Sequence, residues 1–346
     1  MTERASEALD VRSARYRALV DAELRAVVGD DPAALYRLMR YHLGWTDAAG
    51  ADAAASPGKQ LRSTLLLLVA ELCGGDATRA APAAAAIELV HNFSLLHDDI
   101  EDESAERRGR PTVWTLAGVP QAINAGDGMH ALARLALHRL AAAGIDPARV
   151  LDAMRELDEA CVRLVEGQHL DLAFERQAHV TRAEYLAMAA GKTAALLAAS
   201  AAVGAIAGGA DGERVRALRA FGQHLGMAFQ AIDDVLGIWG DPAVTGKPAG
   251  DDLRTRKMTL PVIAALEAGG PAAAALAAAY SRPAAPADDI AALARLVEAG
   301  GGRAAAGGFA REQLAASLAA LERAGFDAAG VALCRELAMR AVERTF

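Results

Sequence analysis

The sequence predicts an all-α protein, a bundle of packed helices, and three observations carry that expectation. Apolar residues make up 53% of the chain, and alanine, the strongest helix former, dominates them. Aromatic residues are only 4% of the chain, and the alternating Val, Ile, Thr and Tyr that mark strands are scarce. Short breaks rich in Gly and Pro recur at 50–58, 74–76, 109–111, 118–120, 208–212, 242–252 and 269–271, and none has the composition of a domain linker. A chain of 346 residues can bury a sizeable core. Functional clusters run from Lys59 to Lys257 without an intervening linker, so one catalytic domain over 1–346 is the simpler expectation.

Taken in order, residues 1 to about 15 are expected to be loose, as N-terminal ends without packing partners are. An apolar helix over Leu65–Leu72 follows the cationic segment Gly58-Lys59-Gln60-Leu61-Arg62. The mostly apolar run Ile87–His97 predicts a helix that ends in the acidic cluster Asp98-Asp99-Ile100-Glu101-Asp102. Gly191-Lys192-Thr193 opens the almost wholly apolar run Ala194–Ala207. That run is short for a membrane span and is built from Ala and Gly more than Leu, so it reads as a buried helix and no transmembrane segment is expected. The amphipathic run Arg311–Arg323 completes the bundle.

Composition excludes several function classes. Acidic (44) and basic (36) residues are interspersed and leave a net charge of −8, with no basic tract suited to nucleic acid. Cys73, Cys161 and Cys334 are odd in number, far apart and without metal-ligand spacing, which points away from a disulfide framework and towards the reducing cytoplasm. Met1–Asp10 carries charges where a signal peptide needs its apolar core.

Two acidic clusters carry the chemistry, 98–102 and Asp233-Asp234 with Gly237, and each has cationic residues downstream. In a helix Asp98 and Asp102 stand one turn apart on one face, where their carboxylates can share a hard cation. Such a pair is also what a solvated acidic patch looks like. Its place at the end of an apolar run turns it towards an internal cavity. Lys59 and Arg62 at a helix start, Arg107-Arg108 five residues past the acids, Lys192, Lys247 and Lys257 add recurring anion-binding groups, so the pattern points to metal-assisted diphosphate chemistry.

Six motifs in this order resemble the trans-isoprenyl diphosphate synthases, the polyprenyl synthetase family: Gly-Lys-x-x-Arg at 58–62, Leu-His-Asp-Asp-Ile-Glu-Asp at 96–102, Arg-Arg-Gly-x-Pro-Thr at 107–112, Gly-Lys-Thr at 191–193, Phe-Gln-x-x-Asp-Asp at 229–234 and Gly-Lys-Pro…Lys at 246–257. The resemblance implies an isoprenoid-synthase-type helical bundle around a deep central cavity, a homodimer, and Mg2+-assisted condensation of isopentenyl diphosphate with an allylic diphosphate. It implies Asp98, Asp102 and Asp233 as metal ligands supported by Asp99, Asp234 and Asp252. It implies Arg107, Lys192 and Lys257, helped by Lys247 and Gln230, on the allylic diphosphate, and Lys59, Arg62, His91 and Arg108 on isopentenyl diphosphate. Thr193 and Gln230 would aim oxygen dipoles at the developing cation, and Phe229 would offer a π face beside the isopentenyl group. The growing tail would pass Ser94 and Phe93, and the ring at Phe93 resembles enzymes that stop near geranylgeranyl diphosphate, with farnesyl diphosphate and longer products as the alternatives. A class I terpene cyclase and an inactive or accessory subunit are the competing readings. Three departures from the family pattern stand out: Gly237 in place of a last aspartate, Trp114 in place of a frequent histidine, and Ser63 in place of a common proline.

Overall fold

A computed structural model describes residues 2–53, 58, 60–175, 177, 179–241, 249–282 and 289–342, with the side chains of 2 and 3 left aside. Sixteen α-helices and one short hairpin make up these residues, so the all-α expectation is met. In chain order the helices are α1 (Thr2–Val28), α2 (Ala34–His42), α3 (Leu61–Leu72), α4 (Ala77–Glu101), α5 (Val113–Ala117), α6 (Val119–Ala142), α7 (Pro147–Phe174) and α8 (Arg182–Ala189). A π-helical segment, Ala190–Ala194, leads into α9 (Ala195–Ala207), followed by α10 (Gly212–Trp239), α11 (Asp251–Arg254), α12 (Leu260–Glu267), α13 (Gly270–Tyr280), α14 (Ile290–Ala299), α15 (Gly302–Glu322) and α16 (Ala328–Val342). The hairpin strands β1 (Glu106–Arg107) and β2 (Arg110–Pro111) pair antiparallel, Glu106 opposite Pro111.

The chain divides into two compact units. Unit 1 contains 1–161, 199–219 and 323–336; unit 2 contains 162–198, 220–322 and 337–346. Unit 1 is centred on α4, which packs on α6, α3 and α1. Asp76 caps α4 by accepting from the Thr78 amide at 2.7 Å, and past the exposed Thr78 and Arg79 the alanine-rich stretch 80–90 is buried throughout. In unit 2, α12 packs on α15.

The N-terminal expectation is corrected. Residues 2–28 form one helix rather than a loose end, because Leu9, Tyr16 and Val20 bury an apolar face and Arg12 and Tyr16 both hydrogen-bond Glu71 of α3. The apolar run read as a buried helix lies in a longer helical stretch, Arg182–Ala207, that is long and apolar enough to cross a membrane, yet 72% of its most apolar window is buried inside the protein. That burial is what a core helix requires.

Candidate active site

The first acidic cluster closes α4. Asp98 and Asp99 lie in its last turn and Asp102 is its C-cap, with the Asp102 amide donating to the Asp98 carbonyl at 2.9 Å. The C-terminal end of a helix is already the negative end of its dipole, so Asp98, Asp99, Glu101, Asp102 and Glu103 together set a field that favours a cation there. Arg107 supplies part of the neutralisation: its Nε donates to Asp99 Oδ1 at 2.7 Å and its Nη2 to Asp98 Oδ2 at 3.3 Å. Asp99 is 2% exposed at its side chain, and burial pushes its carboxyl up while Arg107 pulls it back only in part.

Arg107 can reach back because the hairpin turns sharply. Its two-residue loop is Arg108-Gly109, both with positive φ (55° and 70°), the conformation of the tight turns that fit the twist of paired strands. The loop is anchored on both sides. Arg110 donates to the carbonyls of Tyr41 (3.0 Å) and Thr46 (2.7 Å) and lies over the Tyr41 ring at 4.1 Å. Thr112 Oγ1 and Trp114 Nε1 both donate to the Ser104 carbonyl at 2.8 Å. Trp114, a departure from the family pattern, therefore has a role that the sequence did not reveal: it fixes the loop carrying Arg107 and Arg108.

The second anion group of unit 1 combines Arg62, His91 and Arg108. Arg62 Nη1 lies 3.5 Å from His91 Nε2. Burial, and then the charges of Arg62, Arg108 and Arg107, hold His91 well below the ordinary imidazole range, so it is neutral at pH 7. Because a guanidinium only donates, Nε2 faces it as the acceptor and the ring proton sits on Nδ1. His42 shares the environment: burial, then Arg107 and Arg108, lower it to about 3. A pocket here is lined by His42, Leu95, Asp99, Arg107, Arg108 and Thr112. Ser63, the second departure, donates its amide to buried Glu88 at 3.3 Å, which proline could not do. Lys59 lies outside the described residues. Ser94 Oγ donates to the His91 carbonyl at 2.8 Å, and Phe93 is buried against α6.

Unit 2 gathers a different set. The Ala195 amide bonds to the Ala190 carbonyl, the five-residue spacing of a π segment, and Lys192 sits in its middle. The segment is pressed onto α7: a Cβ on Gly167 would fall 2.1 Å from the Lys192 backbone nitrogen, and one on Gly191 would fall 2.5 Å from the Arg163 carbonyl oxygen. Lys192 Nζ then meets Asp171 Oδ2 at 2.5 Å, and Lys257 Nζ approaches the same oxygen at 3.4 Å. Burial would raise Asp171, but Lys257 and Lys192 outweigh it and hold the carboxyl below its usual range. Asp171 is a residue that sequence reasoning missed; the one available signal was Gly167, a helix glycine one turn before it.

A chain of hydrogen bonds supports this group. Thr193 Oγ1 donates to Gln230 Oε1 (2.5 Å), Gln230 Nε2 to Asp234 Oδ1 (2.8 Å), and Tyr185 Oη to Asp234 Oδ2 (2.5 Å), which also accepts the Leu260 amide (2.8 Å). Asp234 is 4% exposed and its carboxyl is raised by burial despite these donors. Its oxygens hold Gln230, Tyr185 and the start of α12, while half-buried Asp233 and Phe229 lie on the same helix, α10. Gly237, the third departure, is explained by Asp252: a Cβ at 237 would fall 1.9 Å from Asp252 Oδ2, so that carboxylate occupies the helix face one turn beyond Asp233. Lys247 lies outside the described residues.

Among the described residues, four non-glycine residues have positive φ: Gln60, Glu103, Arg108 and Arg256. Each is, or stands within two positions of, a predicted site residue, namely Arg62, Asp102, Arg108 itself and Lys257. Left-handed backbone at such residues costs about 1 kcal/mol or more each and concentrates at functional sites. No group of three or more His, Cys, Asp and Glu among the described residues is placed to hold a metal ion without other ligands. Asp98 and Asp102 stand one helical turn apart at the end of α4, and Mg2+ is commonly bound by one or two carboxylates together with substrate phosphate oxygens.

The profile of the polyprenyl synthetase family matches residues 44–297. The chain is 49% identical over 282 residues to the geranylgeranyl diphosphate synthase of Mycobacterium tuberculosis, covering 81% of this chain and 79% of that protein. It is 44% identical over 311 residues to the (2E,6E)-farnesyl diphosphate synthase of Mycobacterium bovis, covering 89% and 85%. Among solved structures, a polyprenyl synthetase from Streptomyces coelicolor A3(2) superposes with a TM-score of 0.91 at 40% identity, covering 96% of this chain and 99% of that one. A geranylgeranyl pyrophosphate synthase from Corynebacterium glutamicum, complexed with isoprenyl diphosphate and magnesium, gives 0.79 at 27% identity, covering 100% of both. The fold, the ordered motifs and these likenesses place the chain in the polyprenyl synthetase family, as a trans-prenyltransferase that makes isoprenyl diphosphates.

Proposed function

We propose that the protein extends an allylic diphosphate with isopentenyl diphosphate to give geranylgeranyl diphosphate. The observation that carries the two-substrate part is the Arg62–His91–Arg108 group, an anion subsite built from residues other than the Lys192–Lys257 pair. A cyclase that ionises one diphosphate has no use for it. The geranylgeranyl product is supported by the buried ring at Phe93 and by the relative of highest quoted identity, while the farnesyl synthase relative makes the shorter product the competing outcome.

Lys192 and Lys257 grip the allylic diphosphate, and Asp171 holds the two ammonium groups at one carboxylate until phosphate oxygens take them over. Arg107 performs the same service beside Asp98 and Asp99, and Lys247 is assigned to the same substrate from its sequence motif. The carbon–oxygen bond to the diphosphate breaks heterolytically, the isopentenyl double bond attacks the resulting allylic cation, and loss of a proton closes the step. The Gln230 carbonyl oxygen and the Thr193 hydroxyl stabilise the cation as fixed dipoles already aligned by Asp234, with the Phe229 ring alongside. Lys59, Arg62, Arg108 and neutral His91 bind isopentenyl diphosphate. Asp98 and Asp102, supported by Asp99, in unit 1, and Asp233, supported by Asp234 and Asp252, in unit 2 are the residues that would hold Mg2+, which when bound would supply Lewis-acid stabilisation of the leaving diphosphate.

We further read the chain as one catalytic domain, since a single family profile spans parts of both units. A homodimer is supported by exposed Leu116, Val119 and Ile123 where α5 meets the first turns of α6, Val119 and Ile123 standing one turn apart, apolar side chains that a second copy would cover. A cytoplasmic location is supported by three free cysteines. The test is incubation of purified protein with Mg2+, labelled isopentenyl diphosphate and each allylic primer, followed by product chromatography. A labelled twenty-carbon diphosphate is expected. A cyclic hydrocarbon without label would establish a cyclase instead, and no turnover would establish an accessory subunit.

A further inference from the structure

Between α4, α6 and α7, unit 1 carries a polar arrangement that diphosphate binding does not use. The Phe93 ring lies 4.7 Å from the His130 ring at a tilt of 52°, and meets His97 edge-on at 5.7 Å and 82°. One turn further along α6, Arg134 Nη1 is 2.6 Å from His130 Nε2, and its Nη2 is 2.7 Å from Asp158 Oδ1 on α7. The guanidinium can only donate, so His130 accepts at Nε2 and is neutral. Burial first, and Arg134 next, lower its affinity for a proton, while Asp158 and Asp127 act in the opposite sense and His97 in the same one.

The order of burial gives the arrangement a direction. Phe93 is 8% exposed, whereas the Arg134 and Asp158 side chains are 32% and 45% exposed, so the buried ring is backed by an imidazole and then by an ion pair nearer solvent. A surface pair of this exposure contributes little to stability by itself. Its geometric effect is larger: an imidazole against a ring can choose among rotamers, and a planar guanidinium held by a carboxylate removes that choice. Phe93 lies five residues before Asp98, about 7.5 Å along the helix axis from the acids.

We propose that Arg134 and Asp158 are positioning residues for product length: they lock the neutral His130 ring against Phe93, and the two rings together close the path of the growing prenyl tail. The inference rests on the prenyltransferase reading and on Phe93 facing the tail. In it His130 touches the product end, and Arg134 acts only through His130.

The experiment compares products made from labelled isopentenyl diphosphate and an allylic primer by wild type, His130→Ala, Arg134→Met, His130→Phe and the double variant His130→Phe/Arg134→Met. His130→Ala and Arg134→Met are expected to move the main product up by at least one five-carbon unit with the KM for isopentenyl diphosphate unchanged. Phenylalanine fills the slot without a tether, so His130→Phe keeps the wild-type length and the added Arg134→Met changes nothing. Wild-type length in Arg134→Met overturns the proposal, as does equal lengthening by Arg134→Met in both backgrounds. Should Arg134→Met fail to fold, Asp158→Asn carries the same expectation and the same refutation. Absence of any chain extension by the wild type would instead remove the prenyltransferase reading beneath the proposal.

Discussion

Gly167→Ala is the sharpest test of how unit 2 builds its lysine pair. A Cβ there would fall 2.1 Å from the Lys192 nitrogen and 2.8 Å from the Gly191 carbonyl carbon and the Lys192 Cα. All three are backbone atoms, so relief cannot come from turning a side chain; against an ordinary contact of about 3.5 Å, the π segment and α7 have to part by roughly 1 Å. Two effects oppose each other. Alanine is better than glycine in a helix interior by about 1 kcal/mol, whereas overpacking costs about 1–3 kcal/mol or more where backbone must move. The steric term wins because two helices are involved, and net destabilisation of about 1–2 kcal/mol is expected. Function suffers more. Lys192 is carried on the displaced backbone, and a shift of about 1 Å in a positioning group costs about 100-fold in rate. Thermal melting and steady-state kinetics with the allylic substrate varied would measure both. Unchanged melting and unchanged kcat/KM would refute the claim that this close approach places Lys192. Gly126→Ala is the control: the three atoms nearest its Cβ all belong to the His97 ring, at 2.3 Å from Nε2, a side chain that can swing away.

Four further outcomes follow from the same geometry. Asp171→Asn removes the charge that holds Lys192 and Lys257 together, and should lower kcat/KM for the allylic diphosphate more than for isopentenyl diphosphate, read from separate substrate titrations. Tyr185→Phe strips a donor from buried Asp234 and should cost about 1–3 kcal/mol in denaturant unfolding, with no loss counting against the hydrogen-bonded chain. Gly237→Asp, which restores the common family aspartate, should lower activity because it evicts Asp252; adding Asp252→Gly should recover part of it, and gain of activity in the single variant would contradict the packing. The pH dependence has a definite sign: His42 and His91 have folded pKa values below the unfolded value near 6.5, so the unfolded chain takes up protons first as pH falls. Their contribution is complete above about pH 7 and is lost below about 6.5, at up to roughly 1.4 kcal/mol per pH unit for each group, down to about 3 for His42. Equal unfolding free energies at pH 7.5 and 5.5, in substrate-free protein, would rule this out.

The helices were legible because alanine-rich apolar runs and their Gly and Pro breaks are local signals: the breaks at 74–76, 118–120, 208–212 and 269–271 all fall at helix boundaries. The acidic pair of α4 was legible for the same reason, since one helical turn separates Asp98 from Asp102. Local sequence could not reveal that Asp171 pins Lys192 and Lys257, that Asp234 is consumed by Tyr185, Gln230 and the Leu260 amide, or that Asp252 fills the face left open by Gly237. Each of those depends on partners from 4 to 86 positions away, and charge, burial and hydrogen-bond saturation are properties of the assembled neighbourhood. The residue types and their helical spacing came from the sequence by itself; which carboxylates are engaged by the protein, and which histidines are kept neutral, only the tertiary structure decided, because desolvation and Coulomb terms act through space and not along the chain.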